Sequence, residues 1–260
     1  MMKKALILAF SVIVLAGCTS QKQLAYLNNL PETTGENHFN LDIPYYKVQP
    51  RDIIYISVKT QTADGGLTDI LTGQNSNVSN QVVGESTQYV TGYSVDPEGM
   101  LNLPLFGKTP VSGKTIYEIR DQIQMMADSL FRHAYVETRL MSFRYTVIGE
   151  VKNPGSFYNY SDQLTVLEAI GHAGGVGDFG SRRKVLVVRP VQKETVTYNL
   201  NLQDKSILES PAYFIAPNDV IIVQQTSKKV FNLNLPVYSL IISSVTGAIT
   251  TAILVRNYVK

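Results

Sequence analysis

The sequence predicts an α+β chain: two small modules, each a helix laid on a curved sheet, followed by one long apolar helix. Three observations lead there. Two capping boxes, Thr115-Ile116-Tyr117-Glu118 and Thr165-Val166-Leu167-Glu168, each open a helix among strand-like stretches. Residues Val48 to Ile56 echo Ile215 to Val223 nearly step for step, proline turn and aspartate included. The run from Pro236 to Val255, about 20 residues, carries no charge.

The first element is a leader. Lys3 and Lys4 precede an apolar run from Ala5 to Leu15, and Leu15-Ala16-Gly17-Cys18 fits a bacterial lipoprotein processing site. Small residues at 16 and 17 let a peptidase reach the backbone. Cys18, the one cysteine in 260 residues, offers its thiol to a lipid such as palmitate. Acyl chains worth ~0.8 kcal/mol per buried methylene make a lasting anchor. Residues 1–17 are therefore expected to be a signal peptide and 18–43 a lipidated tether. Thr19 and Ser20 follow the cysteine with no aspartate, the pattern of sorting to the outer membrane with the domains in the periplasm.

The first module is expected over 44–143. Ile54, Ile56 and Val58 alternate with Tyr55, Ser57 and Lys59, the period of a half-buried strand. Residues 61–91 are poor in large apolar side chains and read as an insertion. Asp96-Pro97-Glu98-Gly99 is a turn, Leu101 and Leu103 alternate toward Pro104, and Gly107 and Gly113 bracket a second turn region. Ile116, Ile119, Ile123, Met126 and Leu130 share one face of the capped helix. Val136, Thr138 and Leu140 form a further strand.

The second module is expected over 144–227. Tyr145 to Ile148 is a strand running into the tight turn Gly149-Glu150-Val151-Lys152-Asn153-Pro154-Gly155, with Phe157 and Tyr158 beyond. Ala173-Gly174-Gly175 closes the short second helix with residues suited to a left-handed cap. Val185 to Val188 reads as a buried strand; Thr195 to Leu200 and Tyr213 to Ile215 add two more.

The final segment, 228–260, is expected to be an amphipathic membrane-spanning helix. A 20-residue helix reaches roughly 30 Å, one hydrocarbon thickness. Tyr238 stands near one end, and Arg256, Tyr258 and Lys260 follow the other as interfacial anchors. At about 100° per residue, Ser239, Ser243, Thr246 and Thr250 project along one stripe, opposite Ile241, Val245, Ala248, Ile249, Ala252 and Val255. A lone lipid-facing helix gains nothing from such a stripe, whereas in a ring of helices the hydroxyls meet a neighbour or a watery lumen. Two competing arrangements are a helix folded onto the chain's own domains and one lying flat on the bilayer.

Composition narrows the function classes. A formal charge of +2 provides no field for nucleic acid. His38, His133 and His172 lie far apart without nearby cysteines or paired carboxylates, so no metal site is expected. No phosphate loop, dinucleotide fingerprint or nucleophile elbow occurs, and neither a cofactor nor catalysis is expected. Asp52, Asp96 and Asp178 are the carboxylates a glycosidase reading would use, but each sits in a turn where aspartate has a structural task. Arg182, Arg183, Lys184 and Arg189 read as solvated or interface charges, with attraction of an anionic polymer the weaker alternative.

These residues together resemble a family, the outer-membrane polysaccharide export lipoproteins. Tyr46 to Asp52, with Pro50 and Asp52, through Gly99, Pro104 and Gly107, looks like their polysaccharide export domain. Gly149, Pro154 and Gly155, then Thr165 to Ile170 and Gly174-Gly175, are similar to their soluble-ligand-binding β-grasp module. The family usually carries glycine where Arg51 stands, so this turn is expected to accept negative φ there. The resemblance implies a homo-oligomeric, typically octameric channel whose terminal helices form a barrel through the outer membrane, with their ends at the cell surface. It further implies passage of capsular or exopolysaccharide along the axis without cleavage. The implied partner is an inner-membrane polysaccharide co-polymerase, often a tyrosine autokinase. The rival from another class is a periplasmic ligand-binding or scaffold lipoprotein without a pore of its own.

Overall fold

The computed structural model describes residues 24–31, 36, 38–39, 41, 43–61, 65–71, 92–191 and 194–258. The signal peptide, Cys18, positions 62–64 and 72–91 of the expected insertion and the expected anchor Lys260 lie outside the described residues.

In the first unit the central strand β1 (Ile53–Gln61) pairs antiparallel with β2 (Leu67–Asp69) and β3 (Tyr93–Ser94) on one side and β6 (Tyr135–Leu140) on the other. A separate hairpin joins β4 (Met100–Leu103) to β5 (Gly107–Pro110). The region expected to be a turn from Gly107 to Gly113 therefore begins with a strand. Helix α1 (Ile116–Leu130) opens on the predicted capping box, with the Thr115 side chain accepting from the Glu118 amide and Glu118 accepting from the Thr115 amide. Ile119, Ile123 and Ala127 of this helix are fully buried against Ile54, Ile56, Val58 and Leu101. Leu130, expected on that face, is exposed, because the helix ends at Phe131 in extended backbone. Strand β1 is covered more fully than its alternation predicts, since Ser57 is buried as well as Ile56 and Val58.

In the second unit, β7 (Arg144–Gly149) and β8 (Gly155–Tyr158) form a hairpin, α2 (Val166–His172) follows, and β9 (Gly180–Val191) and β10 (Glu194–Leu200) form a second hairpin. The last strand, β11 (Val220–Gln225), inserts between the hairpins, parallel to β7 and antiparallel to β9. The sheet order is β10-β9-β11-β7-β8. Tyr145, Val147, Val187 and Ile221 bury fully beneath Val166 and Ala169 of α2. Val185 and Val187 are buried but Leu186 and Val188 only partly, so that run has an inner and an outer face. Tyr213–Ile215 is not a strand: among the described residues its sheet pairing is one bridge, Phe214 to Thr165. Its backbone instead serves the start of α2, with Tyr213 O accepting from Val166 N and Ile215 N donating to Leu164 O.

Both capping glutamates are held below the usual carboxylate range, chiefly by the threonine backbone amides they accept from. A depressed folded-state value contributes stability above the unfolded pKa of ~4.3 that is lost as pH falls through the folded one. We expect the Glu118→Gln/Glu168→Gln variant to show a shallower fall in denaturant midpoint between pH 5 and pH 3 than the parent. An unchanged slope would show that other carboxylates carry the acid response.

The two units share a short seam. Leu140 packs against both cores, and Phe143, three residues on, belongs to the second. The stretch expected to be a free tether also touches the second unit. Leu27 and Asn28 amides donate to Leu202 and Gln203 carbonyls at 3.0 and 2.8 Å, and Arg182 lies over the Tyr26 ring at 5.1 Å.

Helix α3 (Ser227–Tyr258) is one continuous helix of 32 residues with Pro236 inside it. Ser227–Arg256 is long and apolar enough to cross a membrane, and its apolar window has no part buried against the rest of the chain. The helix begins before the uncharged run, taking in Lys228, Lys229, Asn232 and Asn234.

Candidate functional site

The echoed sequence folds into one device used twice. Asp52 N donates to Gln49 O and its carboxylate accepts from Gln49 N at 2.8 Å; Asp219 does the same with Ala216, also at 2.8 Å. Both aspartates are buried at the mouth of a core strand. Between proline and aspartate, Arg51 has φ +77° and Asn218 φ +67°. The expectation of negative φ at Arg51 is thus overturned. Proline followed by a left-handed residue is the signature of a type II turn, and the aspartate clamp holds that geometry whichever residue fills it. A non-glycine residue in that region costs roughly 1–3 kcal/mol, so Arg51→Gly is expected to stabilise the chain by about 1 kcal/mol after the added unfolded-state entropy. A lower melting temperature would mean that the Arg51 side chain makes contacts worth more than the strain.

Asp52 also ties the seam, accepting from the Tyr46 hydroxyl at 2.8 Å and the Ser142 hydroxyl at 3.0 Å. Burial, reinforced by that carboxylate, keeps the Tyr46 hydroxyl protonated. Across the same seam the Tyr117 hydroxyl donates to Asp162 at 2.5 Å, a link between units that no local motif announces. Asp96 caps its own turn through the Met100 amide at 2.7 Å. Gly99 lies in that turn, Pro104 and Gly107 border the β4–β5 turn, Pro154 and Gly155 lead into β8, and Gly174-Gly175 follow α2 with φ +77° and +86°. These motif residues are dispersed scaffolding rather than one converging centre.

Gly149 is the exception with a wider consequence. Its φ is +91°, and a Cβ there would stand 2.2 Å from the Val223 carbonyl oxygen. That closeness lets Glu150 N bond to Val223 O at 2.9 Å, and the Glu150 carboxylate pairs with Lys229 in the first turn of α3. The turn Gly149-Glu150 thereby grips the end of β11 and the start of the helix that follows it. Arg189, grouped by sequence with the basic patch, is an internal tie instead: its Nη2 and Nε reach Asp219 at 2.7 and 3.0 Å, and Nη2 also reaches Phe214 O at 2.8 Å.

Along α3, every hydroxyl of the predicted stripe donates inward. Ser239 donates to Pro236 O at 2.8 Å, Ser243 to Ser239 O at 2.6 Å, Thr246 to Ile242 O at 2.9 Å and Thr250 to Thr246 O at 2.7 Å. Ser244 and Thr251 do likewise. With their protons held by the backbone, these oxygens present lone pairs outward and carry little penalty in an apolar medium. Phe231 and Tyr238 stack at 5.6 Å near the start of the uncharged run.

Comparison with known proteins agrees with this layout. Residues 42–141 match the family described as polysaccharide biosynthesis/export protein, and residues 144–200 match the SLBB domain. The chain is 36% identical over 96 residues to the exopolysaccharide production protein ExoF of Rhizobium meliloti (strain 1021), a match covering 35% of this chain and 23% of that protein. It is 28% identical over 147 residues to the EPS I polysaccharide export outer membrane protein EpsA of Ralstonia nicotianae, covering 55% and 38%. The protein of the same name from Ralstonia solanacearum is 32% identical over 107 residues, covering 40% and 28%. The matches thus span well under half the length of each relative. With an export domain at 42–141 followed by an SLBB domain at 144–200, the chain belongs to the polysaccharide export protein family.

Proposed function

We propose that this chain is an outer-membrane lipoprotein, acylated at Cys18, that assembles with copies of itself into a channel for capsular or exopolysaccharide. The observation that carries this reading is the uncovered helix α3 behind the two matched domains. A bare apolar helix of this size needs lipid or neighbours to cover it. That its apolar window is unburied, beyond the Lys229 contact at its start, counts against a scaffold with its tail folded back onto its own surface. At ~1.5 Å per residue, α3 reaches roughly 50 Å, so about the first third stands clear of a 30 Å hydrocarbon layer. That third is the part bearing Lys228, Lys229, Asn232 and Asn234, and it leaves the periplasmic side at the Gly149-Glu150 grip.

In this reading the stripe Ser239, Ser243, Thr246 and Thr250 faces the lumen. A conduit must bind its cargo weakly, and acceptor oxygens that exchange readily with water meet that requirement. The strand order of the second unit, with its final strand between two hairpins and parallel to the first, supports the β-grasp assignment. The matched relatives bearing outer-membrane names support the location. The chain moves sugar without cutting it, and an inner-membrane co-polymerase supplies the drive.

The test is an epitope appended after Lys260. On intact cells it is expected to be labelled from outside, and detergent-extracted particles are expected to image as rings. A monomeric particle with an epitope reached only after the outer membrane is opened would favour the scaffold.

A further inference from the structure

Beside the Tyr117–Asp162 bond, a cavity of about 330 Å³ opens along the seam between the units. Its walls include Tyr45, Tyr117, Tyr135 and Tyr160 with Arg120 and Arg139. Those four tyrosines are 65%, 38%, 62% and 78% exposed. A single exposed ring needs no explanation, but four converging on one concavity form a surface waiting to be covered. They come from the lead into β1, the first turn of α1, the first residue of β6 and the loop after β8, so only the tertiary fold gathers them. Tyr45 meets Tyr117 edge to face at 6.0 Å, and Arg120 lies over the Tyr117 ring at 5.7 Å. Tyr117 is thus a fixed wall, and Tyr135 and Tyr160 are lining rings more exposed than it.

The chemistry of the walls selects a ligand class. The volume sits at the small end of ligand sites, which run from ~300 to 1,000 Å³. Arg120 and Arg139 are paired with Asp121 and Glu137, which neutralises their charge and leaves further N–H donors. An anion therefore gains little here, and a lipid tail would meet charged rims. A sugar ring suits it: flat C–H faces lie on tyrosine rings, and rim hydroxyls both donate and accept.

We propose that this cleft is a saccharide-binding site, holding a short stretch of sugar chain against Tyr135 and Tyr160 at the seam between the two units. The proposal rests on the export reading for where such a chain comes from. The open, exposed rings favour fast release, as a transport path requires.

The test uses the full chain in detergent, and as probe the exopolysaccharide of the strain that carries it, hydrolysed to short oligosaccharides. Binding is followed by saturation-transfer NMR and by tyrosine fluorescence, which no tryptophan masks because the chain has none. Wild type is expected to bind saturably, Tyr135→Ala/Tyr160→Ala to lose about tenfold or more, and Leu105→Ala, outside the cleft, to bind normally. The single Tyr160→Ala variant is the safeguard should the pair misfold, with a loss of about threefold expected. Absence of saturable binding, or equal binding by the variants, overturns the proposal. A change of particle size in the double variant overturns it too, because the cleft would then be a contact between copies. The export reading is scored apart, in a deletion strain. If wild type restores export yet ignores the probe in solution, only the cleft falls; if deletion leaves export intact, the channel falls.

Discussion

Replacing Arg189 with alanine is expected to cost about 3–5 kcal/mol of stability at neutral pH, the range for breaking a buried ion pair from one side. The Asp219 side chain has no exposed surface, and it receives three contacts of 2.7 to 3.2 Å from Arg189 and one from the Ala216 amide. Removing the guanidinium strands a buried carboxylate and frees the Phe214 carbonyl as well. Small domains hold only ~5–15 kcal/mol in total, so much of the second unit's margin would go. Replacing both partners by apolar residues, Arg189→Met with Asp219→Leu, is expected to recover only part of the loss: the uncompensated charge is gone, but the Ala216 amide and the Phe214 carbonyl are left without the side chains that now pair them. Denaturant unfolding of the full chain in detergent measures both. A single-variant loss under about 1 kcal/mol would mean that Asp219 relaxes into water or a proton at little cost.

The deficit should also depend on pH in a stated direction. Burial, the largest influence, already pushes the Asp219 carboxyl above the ordinary range, against the pull of Arg189 and the Ala216 amide. A folded state that holds this proton more tightly than the unfolded chain gains stability below the unfolded value of ~3.9 and loses it as pH rises through the folded one. Without Arg189 the upward shift grows, so the variant's deficit is expected to shrink in mild acid. The capping glutamates respond the opposite way in both proteins, which is why the comparison is variant against parent at each pH.

Local signals were legible from sequence. Each capping box needs four residues, and both fold as written. The echo of Pro50-Arg51-Asp52 in Pro217-Asn218-Asp219 marks two turns that prove equivalent down to the aspartate bond. What escaped depends on contacts that no short window contains. Arg51 takes a left-handed φ because a clamp made by Asp52 fixes the turn. Tyr213–Ile215 has strand-like residues, but its backbone is claimed by the start of α2. Arg189 looked like a member of a basic patch until a partner 30 residues away appeared. The seam tyrosines belong to four separate segments, so no periodicity could have grouped them. The hydroxyl stripe of α3 was legible as a stripe, yet not that its protons turn inward.

That inward turn shapes the second large effect. Thr246→Lys is expected to reduce polysaccharide export to about a tenth or less while leaving membrane assembly intact, and Val245→Lys is expected to block assembly itself. The two positions are neighbours in sequence but about 100° apart on the helix, one on the hydroxyl stripe and one on the apolar arc. A lysine at mid-helix facing lipid costs ~2.5–3.5 kcal/mol per copy by insertion scales, and a ring multiplies that cost by its copy number. Facing a watery lumen, the same charge is hydrated and tolerated, but it narrows the passage and replaces a wall of weak acceptors with a ring of cations. Thr195→Lys, on exposed β10, serves as the control for charge alone and is expected to export normally. Export measured in a deletion strain, beside particle size in detergent, separates the outcomes. Equal export by Thr246→Lys and Thr195→Lys would remove the stripe from the path of the sugar. Normal assembly of Val245→Lys would remove the apolar arc from the lipid, and with both results the helix would have to be covered by something other than a barrel of its own kind.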